Sequence, residues 1–196
     1  VARDLDILLT DYAQPFYADY VLPTGNLREK RLEAKRAELI VVTKCPDLRA
    51  EEKQRVFNNI RNYNKHAEIF FSQIVYGQLE PVFSSAELKK DVAVISAIAK
   101  PKPFYEHLKE QFRLLEKFEY VDHYHFKTSD LKQILRKLNG RKLSLITTEK
   151  DMVRLLDMAD HPLFDTYDLF YQPIQVQMDR KEEFDRKIID AIEKRL

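Results

Sequence analysis

Short apolar runs alternate along this chain with stretches whose apolar residues recur every three or four positions, and that alternation points to an α/β fold. Leu5–Thr10 (Leu-Asp-Ile-Leu-Leu-Thr) and Leu39–Thr43 (Leu-Ile-Val-Val-Thr) read as buried strands. Pro46 stops the second. Val56, Phe57, Ile60 and Tyr63 then form a helical stripe over 49–62. Glu68–Val75 reads as a third strand, with Gly77 and Pro81 ending the region. Strands with helices between them give a three-layer open sheet of the doubly wound kind.

A polar segment, Phe83–Asp91, is the expected boundary between a first domain, 1–82, and a smaller α/β lobe, 83–196. Val92–Ala99 opens the second series. Pro101 and Pro103 suit a first helical turn, with Phe104, Leu108 and Phe112 on its inner face. Glu116–Val121 reads as a strand. Leu131, Ile134, Leu135 and Leu138 form a helical stripe, capped at Ser129 or Asp130 and ended by Gly140. Leu143–Thr147 reads as a strand, Glu149–Leu156 as a short helix, and Tyr167–Met178 has strand character. Phe184, Ile188 and Ile192 make the last helix amphipathic.

Composition excludes several functions. Lys plus Arg is 33 against 32 acidic residues, so nothing draws the chain toward nucleic acid. No apolar run is long enough to span a bilayer, and a soluble globular protein is expected. The single cysteine, Cys45, rules out an internal disulfide and fits a reducing cytoplasm. The three glycines, Gly25, Gly77 and Gly140, are too scattered for any two to share a loop. A P-loop or dinucleotide fingerprint needs clustered glycines so that backbone N–H groups can approach phosphates. The chain by itself therefore cannot cradle a triphosphate in either standard way.

Four motifs carry chemistry. Leu22–Glu29 (Leu-Pro-Thr-Gly-Asn-Leu-Arg-Glu) is a polar loop between the first two strands, with a turn at Gly25 and Arg28 beside Glu29. A fixed Arg can hold a phosphate through two hydrogen bonds, and an adjacent acid can orient it or reach a sugar hydroxyl or Mg2+. By spacing alone, a surface salt-bridge loop is the commoner reading. Thr43-Lys44-Cys45-Pro46 follows a strand as [NT]-K-x-D does in GTPases, but Pro46 cannot accept from a guanine edge. Lys44 is then either a nucleotide-side cation or a solvated strand end.

Asp122-His123-Tyr124-His125-Phe126 places two histidines two apart, on one face if the segment is a strand. No further ligand is placed by sequence, so no metal site is expected in this chain. A single His can tune a carboxylate that takes a proton from a sugar hydroxyl, or can simply be bonded locally. In Thr147-Thr148-Glu149-Lys150-Asp151, Thr148 as N-cap and Asp151 at the third position come close to a capping box, and Lys150 can face an anion. Lys100 and Lys102, beside Pro101 and Pro103, read as solvated lysines or as contacts to an anionic group.

In combination these motifs resemble one family, tetraacyldisaccharide 4'-kinase, the lipid A 4'-kinase of Gram-negative bacteria. Pro23, Gly25, Leu27, Arg28 and Glu29 match its P-x-G-x-L-R-E signature, with Lys30 where the family carries Pro. Asp122, His123 and Phe126 match a D-H-h-x-F-like motif, and Thr147–Asp151 a T-T-E-K-D-like one. The resemblance implies the C-terminal part of a P-loop-type kinase fold plus a smaller α/β lobe that closes over ATP. It implies transfer of the γ-phosphoryl of ATP, with Mg2+, to the 4'-hydroxyl of a tetraacyl disaccharide 1-phosphate. Gly25, Arg28, Glu29 and Lys44 would form the nucleotide or substrate loop, and His123 would support a catalytic Asp outside this chain. Asp122, Thr148, Glu149, Lys150 and Asp151 receive no role from it. The implied partners are the lipid A disaccharide precursor, an N-terminal half of the same protein, and the cytoplasmic face of the inner membrane. This piece alone is expected to be soluble and inactive.

Two other readings remain open on the residues. One is a complete Mg2+-dependent α/β phosphohydrolase with Asp11 or Asp122 as nucleophile, although Asp11-Tyr12-Ala13 is not a D-x-D arrangement. The other is a non-catalytic binding module.

Overall fold

The computed structural model describes residues 4–83 and 86–193. In chain order its elements are β1 (Ile7–Asp11), β2 (Leu39–Thr43), α1 (Ala50–Arg61), β3 (Glu68–Tyr76), β4 (Glu80–Pro81), β5 (Asp91–Ser96), α2 (Lys102–Gln111), β6 (Arg113–Glu119), α3 (Thr128–Leu138), β7 (Ser144–Thr148), α4 (Glu149–Leu156), α5 (Pro162–Thr166), β8 (Leu169–Gln172), β9 (Ile174–Met178) and α6 (Lys181–Glu193). They form two compact units. One reaches Val75 and resumes at Gln175; the other is Tyr76–Ile174.

The first unit is built on a sheet of order β1-β2-β3-β9, in which β1, β2 and β3 run parallel. Residues of β2 and β3 alternate between two buried faces, the pattern of a covered parallel sheet. Ile40, Val42, Ile69 and Phe71 meet Val56 and Ile60 of α1. Leu39, Val41 and Phe70 meet Phe184 and Ile188 of α6. That second contact explains why the chain ends differently from the sequence expectation, which assigned everything after 82 to the smaller lobe. The apolar stripe of the last helix has its complement on the first sheet, so 175 onward joins the first unit. Within the expected boundary segment, Ser84 and Ser85 lie outside the described residues.

The connection from β1 to β2 holds two short 3-10 helices, Phe16–Ala18 and Arg31–Arg36. The loop closes by pairing Val21 with Leu27, and the Leu22–Pro23 peptide is cis.

The second unit carries a sheet of order β4-β8-β7-β5-β6, parallel except for β4. Ala93, Ile95, Leu145 and Leu169 face α3, α4 and α5 through Leu131, Ile134, Leu155 and Leu163. Val92, Val94, Ile146 and Phe170 face Phe104 and Leu108 of α2. Both units are thus three-layered, as the alternation in the sequence implies. From β5 the chain moves outward to β6, then returns across β5 to β7 and continues to β8. Neighbouring β5 and β7 therefore mark the switch point of this sheet, where the C-terminal strand ends open a crevice.

Candidate functional site

In the first unit, the Leu22–Glu29 loop is shaped by a buttress that the sequence does not announce. Asp19 accepts from the Asn26 backbone at 3.3 Å and from the Asn26 side-chain amide at 3.1 Å, and from the Tyr20 backbone at 2.7 Å. Those bonds, the Asn26 amide first, hold the Asp19 carboxyl below the usual carboxylate range. Gly25 packs so tightly on this turn that a Cβ would lie 2.3 Å from both Asp19 Oδ1 and the Tyr20 carbonyl oxygen. Its role is steric. Arg31 stacks over the Tyr20 ring at 4.5 Å and donates to the Asp19 carbonyl at 2.5 Å, fixing the loop's other end.

Arg28 and Glu29 both line a cavity of about 480 Å3, floored by Ile7 and Leu9 of β1 and walled by Glu33 and Arg36. The size falls within the ordinary range of small-molecule sites. The expected Arg28–Glu29 pair is absent. Glu29 instead forms an ion pair with Arg36, which also lies 3.6 Å from Glu33. The 3-10 helix Arg31–Arg36 carries Arg36 back to Glu29. Arg28 is exposed and has no hydrogen bond or ion pair among the described residues. Lys44 does not line this cavity. It follows β2 in a left-handed conformation (φ 57°) and bonds Asp11, at the end of neighbouring β1, at 3.1 Å.

In the second unit two motifs well separated in the sequence meet side by side. Asp122 and His123 lie in a turn after β6, and Thr147–Asp151 runs from β7 into α4. The strand expected over Glu116–Val121 ends at Glu119, before either histidine. The left-handed backbone of His123 (φ 62°) breaks any extended run, so His123 and His125 share no strand face. A non-glycine residue in this region costs on the order of 1–3 kcal/mol, and histidine is among the side chains found there more readily than most. Among the described residues no group of three His, Cys, Asp or Glu is placed to hold a metal ion.

Lys150 is the link between the motifs. Its Nζ donates to Asp122 Oδ1 at 2.7 Å and lies 3.4 Å from His123 Nε2. That hydrogen bond holds the Asp122 carboxyl below its ordinary range. Arg154 approaches the other side of the ring, with Nη2 3.3 Å from Nδ1. No sequence signal singled out Arg154; its position one turn beyond Lys150 on α4 was the available clue.

Behind this cluster sits Asp151, fully buried. It accepts from the Ala97 backbone at 2.8 Å, the Thr148 hydroxyl at 2.8 Å and Arg154 Nη1 at 3.0 Å. Thr148 is the N-cap of α4, its hydroxyl accepting from the Asp151 N–H at 3.1 Å, as the sequence predicts. Glu149 is exposed and faces none of this network. Lys102 is exposed too, 3.7 Å from Glu106 one turn along α2.

Known proteins of one family match nearly the whole of this chain. The family model for tetraacyldisaccharide-1-P 4'-kinase matches residues 1–193. The tetraacyldisaccharide 4'-kinase of Flavobacterium johnsoniae is 42% identical over 97% of this chain and 55% of its own length. That of Flavobacterium psychrophilum is 39% identical over 95% of this chain and 54% of its own. The chain spans about half the length of the curated relatives it matches. Among solved structures, LpxK from Aquifex aeolicus, crystallised in complex with ATP, superposes with a TM-score of 0.61 over 97% of this chain and 53% of its own, at 21% identity. That likeness extends to the fold.

Proposed function

This chain belongs to the tetraacyldisaccharide-1-P 4'-kinase family, and on that premise we propose that it forms part of an ATP-dependent kinase acting on the 4'-hydroxyl of a tetraacyl disaccharide 1-phosphate, a step in lipid A assembly. The observation that carries this reading is the family match across 1–193. The geometry adds a physical rationale. Phosphoryl transfer needs positioned charge more than covalent chemistry from the protein. Arg28 offers an unengaged guanidinium on the rim of a cavity, which suits bidentate capture of a phosphate. His123, its side chain 72% exposed, offers an imidazole within reach of an incoming group.

In this reading His123 supports a catalytic carboxylate that lies outside this chain. Lys44 and the Gly25 turn shape the approach to the nucleotide. Mg2+ would neutralise the phosphates; the described residues offer it no cluster of ligands, so we assign its protein ligands to other parts of the polypeptide.

The phosphate-gripping loop is likewise assigned to a further stretch of the same polypeptide. This chain has three scattered glycines and spans about half of its relatives. β1 also has room for a neighbour. It is the terminal strand of its sheet, and Ile7 and Leu9 are 40% and 66% exposed on the face that α6 covers at Leu39 and Val41. An open edge beside uncovered apolar side chains is a template for further structure.

In this reading the acylated substrate brings the whole enzyme to the cytoplasmic face of the inner membrane. No helix among the described residues is long and apolar enough to cross a membrane. A chimera tests the proposal: this chain replaces the matching half of the Flavobacterium johnsoniae kinase. ATP-dependent 4'-phosphorylation of the disaccharide is expected, and a folded chimera without it would count against the reading.

A further inference from the structure

The Thr147–Asp151 motif has no role in the function as proposed so far, yet its most buried member reaches His123 through a single side chain. We propose that Arg154 is a positioning residue for His123: anchored by Asp151, it donates to Nδ1 and selects the tautomer that carries the proton on Nε2. This rests on reading His123 as the acid–base group, although its test does not.

Asp151 anchors this arrangement. Its carboxylate is fixed by the Ala97 N–H from the end of β5 and by the Thr148 hydroxyl at the start of α4, both at 2.8 Å. A fully buried anion so held cannot swing, and Arg154 Nη1 docks on it at 3.0 Å. The guanidinium is planar and rigid, so an Nη1 held on Asp151 restricts where Nη2 can point. It points at His123 Nδ1, 3.3 Å away. Arginine has no acceptor, so a bond here requires an unprotonated Nδ1 and leaves the ring proton on Nε2.

A competing donor, Lys150 Nζ, lies 3.4 Å from Nε2. A neutral ring can accept at one nitrogen only. Lys150 already has the shorter bond to Asp122 at 2.7 Å, and its flexible stem has no buried anchor. Arg154 has no partner for Nη2 among the described residues except the ring. The Nε2 side faces Asp122 Oδ2 at 3.7 Å and is open to solvent, so the proton is presented outward, where a substrate or a carboxylate can meet it. The motif thereby acquires a role, in which Thr148 and Asp151 hold Arg154 and Arg154 sets the ring.

The tautomer can be read on the chain as it stands, by two-bond proton–nitrogen correlations of the histidine rings in 15N-labelled protein at a pH where the rings are neutral. For His123 the expected spectrum has an unprotonated Nδ1 and a protonated Nε2. Arg154→Met should raise the share of the Nδ1–H form several-fold, while His66, His107 and His125 stay unmoved and Lys150→Met leaves the ratio as it was. A wild-type ring protonated on Nδ1 overturns the proposal without any variant. So does a ratio that Arg154→Met leaves unchanged, or one that shifts with Lys150→Met alone. Because no turnover is involved, a negative result here leaves the kinase reading standing, and a failed kinase assay leaves the tautomer result standing.

Discussion

The backbone N–H of Ala97 donates to the carboxylate of Asp151 at 2.8 Å, tying the end of β5 to the first turn of α4 where the strand order of the second sheet reverses. Open α/β sheets commonly admit ligands at that place. Here the buried Asp151 carboxylate occupies it, and Asp122, His123 and Lys150 stand outside it on the surface.

Asp151→Ala should therefore be costly. It leaves the Ala97 N–H without its partner and Arg154 without its anchor. A loss of about 3 kcal/mol is expected from the penalty for unpaired buried groups. Urea unfolding should show a lower midpoint at an unchanged slope.

Arg28→Ala should do the opposite. With no partner to lose, stability should stay within about 0.5 kcal/mol of the parent. In the chimeric kinase, kcat/KM should fall by roughly two orders of magnitude, as for the loss of a charged phosphate contact. Equal loss of stability and activity would make Arg28 a structural residue.

Gly25→Ala forces a Cβ to within 2.3 Å of Asp19 Oδ1 and the Tyr20 carbonyl oxygen. Overpacking of this kind costs about 1–3 kcal/mol. Hydrogen exchange should quicken at Asn26 and Leu27, whose N–H groups are bonded within this turn.

The Asp122–Lys150 bond predicts a pH effect of definite sign. A carboxyl held below its ordinary range adds stability above that range and loses it as pH falls through the depressed value. Lys150→Met should move the Asp122 titration, followed by carboxyl 13C shifts, to higher pH. No movement would show that the bond is not formed in solution.

Cys45 should be nearly inert. Burial pushes its thiol up to about 11, so at pH 8 only about one thiol in a thousand is ionised. Alkylation of the native protein should run about 100-fold or more slower than in urea.

The fold was largely readable from the residues because its core strands obey simple rules. β2 coincides with Leu39–Thr43, and α4 with Glu149–Leu156, capped by Thr148 as its sequence predicts. What escaped were facts fixed at long range. The alliance of α6 with the first sheet depends on Phe184 and Ile188 meeting Phe70, which periodicity alone cannot reveal. Pairing of Glu29 with Arg36 depends on a 3-10 turn with little sequence signature. Arg154 became visible only once α4 was seen beside the turn holding His123. The motifs themselves were legible; which of them touch was not, because contact across strands is set by sheet order.

The most direct test of the central claim is γ-phosphoryl transfer from labelled ATP to the tetraacyl disaccharide 1-phosphate, measured for the chain alone and for the chimera with and without His123→Ala. We expect no transfer by the chain alone, turnover by the chimera, and a kcat for His123→Ala that falls further than KM rises. Robust transfer by the chain alone, or an unchanged kcat in the variant, would contradict it.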